Sequence, residues 1–110
     1  MAITAIKGIA PDWFEPEQTG ENPTRFKLKP LNGLNYLELL AGLDGQKLTA
    51  RSIDAALQYG LVAWENFKDF DGNEIEHSVR NFERIPPMTI NAIVNEIMNI
   101  SQLSGEERKN

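Results

Sequence analysis

The sequence predicts a small α+β protein, mainly helical, with a short β element near its N-terminus. Apolar residues recur every three or four positions over much of the chain after residue 32, which is typical of amphipathic helices. Residues 24–31 instead alternate apolar and charged side chains, which is typical of a half-buried strand. The chain has 110 residues and no linker-like tract, so we expect a single domain over residues 1–104, mostly helical from residue 32 onward.

The first 23 residues are expected to be extended and rich in loops. Ile3, Ala5 and Lys7 alternate weakly, and prolines interrupt the chain after them. The aromatic pair Trp13–Phe14 lies in this region. We expect it to fold over the core as a lid, because large aromatic side chains usually bury most of their area. An exposed contact patch is the alternative.

The strand predicted over Thr24–Leu31 has two different faces. Phe26 and Leu28 form the apolar face, which we expect to be buried. The opposite face is expected to be solvent-facing, because a net charge of −5 disfavours a nucleic-acid site. Its three cations are Arg25, Lys27 and Lys29.

Two helices are predicted next. Asn32 is placed to cap the first helix, which ends at Gly42. Thr49 is placed to begin the second helix, predicted over about residues 50–63. Gly60 weakens that helix by up to ~1 kcal/mol relative to alanine. We therefore expect Gly60 to permit close packing against a neighbouring element.

The segment Asp69–Asn73 is a dense turn signal that is expected to close a short hairpin or a loop. Its oxygen-bearing side chains at alternate positions match the opening of an EF-hand calcium loop. The match then fails, because Glu74 stands where that loop needs glycine and Arg80 where it needs a bidentate glutamate. We therefore expect no metal and no cofactor, and keep a calcium-regulated binding module as an alternative function.

A proline pair, Pro86–Pro87, separates the last helix from a brief helical turn predicted between Ser78 and Phe82. The last helix is predicted to end at Ser104–Gly105, followed by a flexible charged tail over residues 105–110. Its apolar face is wide for so small a domain. This face could serve the core alone, or it could serve both the core and an interface with a partner or a second copy. The candidate interface residues are Ile90, Ile93, Val94, Ile97, Met98, Ile100 and Leu103.

Composition argues against several classes of function. The chain has no cysteine, so it can form neither a disulfide nor a cysteine-based zinc site. His77 is the only histidine, and we interpret it as part of a solvated, charge-rich loop. Phosphate-binding loops and nucleophile motifs are missing, so we do not expect an enzyme. Neither a secretory leader nor an apolar run of ~20 residues is visible, so we expect a cytoplasmic protein outside the membrane.

Four stretches of the chain together carry a resemblance to a known family. They are residues 24–33 (TRFKLKPLNG), 60–66 (GLVAWEN), 69–73 (DFDGN) and 85–87 (IPP), the last leading into the amphipathic helix and its acidic, Lys-Asn-ending tail. In their order and spacing these stretches resemble the tail assembly chaperones of long-tailed bacteriophages. Those small proteins are encoded just upstream of the tape measure protein. The resemblance covers most of the chain from Thr24 onward.

The resemblance implies a mostly helical, non-catalytic protein that assembles into open, spiral homo-oligomers. It implies that the client is the tape measure protein, which the chaperone coats until tail tube subunits replace it. It also implies a location in the host cell cytoplasm and absence from the mature virion. Slippage of ribosomes at the codons for Arg108–Asn110 would add a longer form that recruits tail tube protein. A tail completion factor or another non-catalytic structural phage protein is the main alternative.

Overall fold

A three-stranded antiparallel sheet and three α-helices make up the described part of the chain. The computed structural model describes residues 11–16 and 23–107, with side chains as far as Ser101. The strands lie in the order β1-β2-β3. A 3-10 helix joins the sheet region to the last α-helix. The elements are β1 (Asp12–Phe14), β2 (Arg25–Leu28), α1 (Gly33–Ala41), α2 (Ala50–Gly60), β3 (Leu61–Glu65), the 3-10 helix (Val79–Arg84) and α3 (Pro87–Glu107).

The α+β class is confirmed, but the sheet is larger than the sequence predicts. Helix α2 ends at Gly60, and residues 61–63, expected to be helical, belong to β3. Apolar residues at positions 57, 60, 61 and 64 suit either structure by spacing alone. Pairing decides between them, because Trp64 lies opposite Phe26 and Ala63 opposite Lys27 in an antiparallel ladder.

The two predicted helix starts are confirmed. The side chain of Asn32 accepts a hydrogen bond from the Asn35 N–H at 3.3 Å. Thr49 and Ser52 form a reciprocal capping box at the start of α2. The Thr49 hydroxyl also donates to the carbonyl of Gly42, which ties the end of α1 to the start of α2.

Helix α3 begins at the predicted proline and ends later than predicted. The helix continues through Gly105 to Glu107, so the predicted end at Ser104–Gly105 is wrong. A glycine inside a helix costs only about 1 kcal/mol, and the two glutamates that follow are good helix formers. Residues 108–110, the rest of the predicted tail, lie outside the described residues, as do Ile3, Ala5 and Lys7.

The core lies where α2 and α3 pack against one face of the sheet. Phe26 and Leu28 point into it from β2, as their alternation predicts. Ser101 on α3 connects to the segment after β2, because its hydroxyl accepts the Leu31 N–H at 2.9 Å and donates to the Ile97 carbonyl at 2.6 Å. This bond crosses 70 residues of sequence and fixes α3 against the sheet region.

Candidate interaction surfaces

The apolar face of α3 is mainly core, not interface. Ile93, Val94 and Ile97 have no exposed area, so their assignment to an interface is wrong. The sheet and α2 cover this face, and a partner could reach these side chains only after the domain had opened. The remaining described members, Ile90, Met98 and Ile100, are partly buried against the same core. The side chain of Leu103 lies outside the described residues.

Helix α1 carries an exposed apolar stripe that the sequence analysis did not single out. Leu34 is 82% exposed, Leu37 is 61% exposed and Leu40 is 39% exposed. These three residues, the leucine stripe, follow one another at intervals of three along the helix. Leu39 on the other side is fully buried. The sequence does contain a signal for this stripe. Leucines lie on both sides of the nine-residue helix, and a helix at the surface buries only one face, so the leucines of the other face must be exposed.

The outer face of the sheet combines one aromatic ring with cations. Trp13 lies on β1 opposite Lys27, and the Arg25 and Lys27 head groups lie 5.2 and 5.6 Å from the centre of its ring. Arg25 also forms ion pairs with Glu65 and Glu15. The expected pairing of Trp13 and Phe14 as a lid is half right. Phe14 packs against the core, whereas Trp13 remains 37% exposed.

A small open groove separates β1 from α3. Its volume is about 190 Å³. Carboxylates stand at its sides and apolar side chains form the rest of its wall. The lining residues are Asp12, Trp13, Phe14, Leu28, Glu96 and Ile100.

The predicted turn after β3 is a short hairpin. Its two arms are joined by the Ile75 N–H donating to the Phe67 carbonyl at 2.8 Å. The Asp69 carboxylate accepts the N–H groups of Asp71 and Asn73 at 2.9 and 3.0 Å, so one of its oxygens is used within the turn. Among the side chains that the structure describes, those of residues 11–16 and 23–101, no three acidic or histidine groups lie together as a metal site would require.

His77 lies in a loop, as predicted, but its ring is half-buried in an aromatic cluster and not fully solvated. Its ring centre lies 4.8 Å from that of Trp64 and 5.6 Å from that of Phe82. The imidazole Nε2 lies 3.2 Å from the carbonyl oxygen of Leu61. These contacts explain the only histidine as a packing residue between β3 and the 3-10 helix. Its acidic sequence neighbours, which suggested a solvated loop, gave no sign of them.

Comparison of the chain with protein-family models, with curated proteins and with solved structures finds no match. In the part of the chain that the structure describes, no helix is both long enough and apolar enough to span a membrane. Among the surfaces that the structure describes, the leucine stripe of α1 is the most exposed apolar face of a helix.

Proposed function

We propose that the protein is a bacteriophage tail assembly chaperone that binds an amphipathic helix of the tape measure protein and keeps that client soluble. The observation that carries this proposal is the leucine stripe of α1. Helix α1 is held firmly from behind, since Leu39 is fully buried and Tyr36 packs against the core. The stripe is therefore a preformed apolar surface, and a client could bind it without any opening of the domain.

The shape of the stripe suits a helical client. Nine residues of α-helix are about 13 Å long, so a second helix laid along α1 would contact it over two to three turns. Leucines at intervals of three form a ridge that can enter the groove of an amphipathic helix. Glu38 is exposed on the same helix, which would favour a client with a cation beside its apolar face.

The resemblance of the sequence supports the rest of the proposal. The chain would act in the host cell cytoplasm, without catalytic activity, and leave before the virion is mature. A longer form made by ribosomal slippage would recruit tail tube protein while the domain holds the tape measure protein. Linking the two partners in this way raises their effective concentration near each other.

The test is co-expression with the large helical protein encoded downstream, measuring the soluble fraction of that client. The double variant Leu34→Ser/Leu37→Ser should lose most of the solubilisation. Two contact residues worth about 1 kcal/mol each would weaken binding roughly 30-fold. Circular dichroism should show an intact fold, because both leucines are largely exposed.

The matched control is Val79→Ser/Met88→Ser, which removes two side chains that are 62% and 86% exposed and lie outside α1. This variant should solubilise the client as the unmodified chain does. The proposal is wrong if the leucine variant keeps full activity, or if both variants lose activity equally. Finding the chain in purified, mature virions would favour a structural role instead.

A further inference from the structure

Strand β1 lies at the edge of the sheet, and among the described residues no strand pairs with its outer side. The direction of its backbone groups follows from β2. The Lys29 N–H donates to the Gly60 carbonyl on the β3 side at 2.9 Å. The extra residue of the irregularity between the two strands, Val62, is in β3, so β2 itself alternates regularly. The backbone groups of Lys27 therefore also point toward β3.

The outward backbone groups of β1 are those of Trp13. Trp13 lies opposite Lys27, so its N–H and carbonyl point away from β2, toward the free edge. The Asp12 carboxylate accepts this N–H at 2.8 Å, as expected for a donor that β2 does not use. Asp12 is exposed. A cation that draws its carboxylate aside would leave both backbone groups of Trp13 for the backbone of a peptide.

The groove between β1 and α3 lies directly beside this edge. Asp12 and Glu96 place a carboxylate on each side of it, and neither forms an ion pair within the described residues. Its apolar wall includes Phe14, Leu28 and Ile100. The volume of about 190 Å³ is below the roughly 300–1,000 Å³ of most small-molecule pockets and suits one long side chain.

A lysine or arginine side chain matches both features of the groove. Its methylene groups can cover the apolar wall while its charged end reaches a carboxylate. Nucleic acids and anionic lipids are disfavoured, because the carboxylates repel phosphate groups. A strand added beside β1 would continue the sheet along the flank of α3, and alternate side chains of that strand would point toward the groove.

We propose that β1 is a docking edge for an extended, cation-bearing segment of another protein. The backbone of that segment pairs with Trp13, and its lysine or arginine enters the groove between Asp12 and Glu96. This is strand addition to a sheet edge, with one pocket for a side chain. Only one residue of β1 points outward, so the cation supplies most of the specificity. The inference does not depend on the client-binding role, because α1 takes no part in it.

Nuclear magnetic resonance titration of the isotope-labelled full chain with a synthetic peptide tests the proposal. The probe is a short, capped peptide of alternating threonine and valine with a central arginine. It should bind with a dissociation constant of about 1 mM or lower and shift the amide signals of β1, Glu96 and Ile100. The same peptide with a central glutamate should bind at least about tenfold more weakly. Methylation of the peptide's pairing N–H groups should abolish binding.

Substitutions at the groove give a second measurement. Asp12→Asn and Glu96→Gln should each weaken binding of the arginine peptide about threefold, the effect of losing one exposed ion pair. Asparagine keeps an oxygen for the Trp13 N–H, so β1 should remain in place. The matched control is Glu83→Gln, which removes an exposed carboxylate in the 3-10 helix and should leave binding unchanged.

Several outcomes would overturn the proposal. An unmodified chain that binds no peptide would mean that Asp12 only protects the edge from pairing. Equal binding of the arginine and glutamate peptides, or full binding of the methylated peptide, would also contradict it. Binding by Lys7→Glu but not by the unmodified chain would assign the groove to the chain's own N-terminal segment. The Leu34→Ser/Leu37→Ser variant should bind the peptide normally, which separates this test from that of the proposed function.

Discussion

At Gly60, α2 lies against Ile97 of α3 and leaves no room for a side chain. A Cβ atom at this position would lie 2.7 Å from Cδ1 and 2.9 Å from Cγ2 of Ile97, both shorter than any normal contact. Ile97 is fully buried and cannot move into solvent. The glycine that weakens α2 by propensity is therefore what allows the two helices to pack.

We predict that Gly60→Ala destabilises the domain by about 1–3 kcal/mol, because overpacking outweighs the gain in helix propensity. Urea denaturation measures the change in the free energy of unfolding. Gly33→Ala is the matched control at the start of α1, where an added Cβ meets nothing within 4 Å. That control should change stability little or increase it. A Gly60→Ala protein as stable as the control would show that Ile97 repacks freely.

The hairpin between β3 and the 3-10 helix shows how a tight turn can account for part of a sequence pattern that resembles a metal-binding loop. One oxygen of the Asp69 carboxylate accepts the N–H groups of both Asp71 and Asn73. Gly72 adopts φ = 83°, a conformation that suits glycine in a tight turn. Of the oxygen-bearing side chains that resemble a calcium loop, that of Asp69 is thus explained by the turn itself.

We predict that calcium leaves the thermal unfolding midpoint unchanged, because a ligand that does not bind the folded state cannot stabilise it. Differential scanning calorimetry with millimolar calcium and with a chelator measures this. Magnesium at the same ionic strength controls for screening of the acidic chain. A midpoint that rises with calcium concentration, but not with magnesium, would show that the turn opens and binds the ion.

The helices could be predicted from the sequence where local signals were sufficient. Asn32 and Thr49 start α1 and α2 through bonds to residues three positions ahead, and such bonds are visible as sequence patterns. Strand β3 could not be predicted, because its identity depends on pairing with β2 more than 30 residues earlier. The spacing of apolar residues there fits both a helix and a strand.

The candidate surfaces were harder to predict than the fold. The apolar face of α3 looked large enough to be shared with a partner, but the sheet and α2 cover its centre, including Ile93 and Ile97. The opposite error affects the leucine stripe of α1. Leucines on a short helix suggest burial in the core, whereas these three are exposed. Which apolar face meets the core depends on how the helices are placed around the sheet, and periodicity alone does not specify that placement.

At the scale of the whole molecule, the sheet and the helices share one core. Trp64 on β3 contacts Phe26 on β2 at 6.2 Å and Phe82 in the 3-10 helix at 6.0 Å, measured between ring centres. Ser101 on α3 bonds to the backbone after β2. β2, β3, α2 and α3 each contact at least two other elements, so the unfolding of this core should be cooperative.

We predict that the chain unfolds in a single transition. The variant Trp13→Phe leaves Trp64 as the only tryptophan. The fluorescence of Trp64 should change at the same urea concentration as the far-ultraviolet circular dichroism of the helices. Micromolar protein keeps self-association from contributing. If the fluorescence changed at a lower urea concentration than the circular dichroism, the sheet and its aromatic cluster would open while α2 and α3 stay paired. The sheet and the helical pair would then be separate cooperative units.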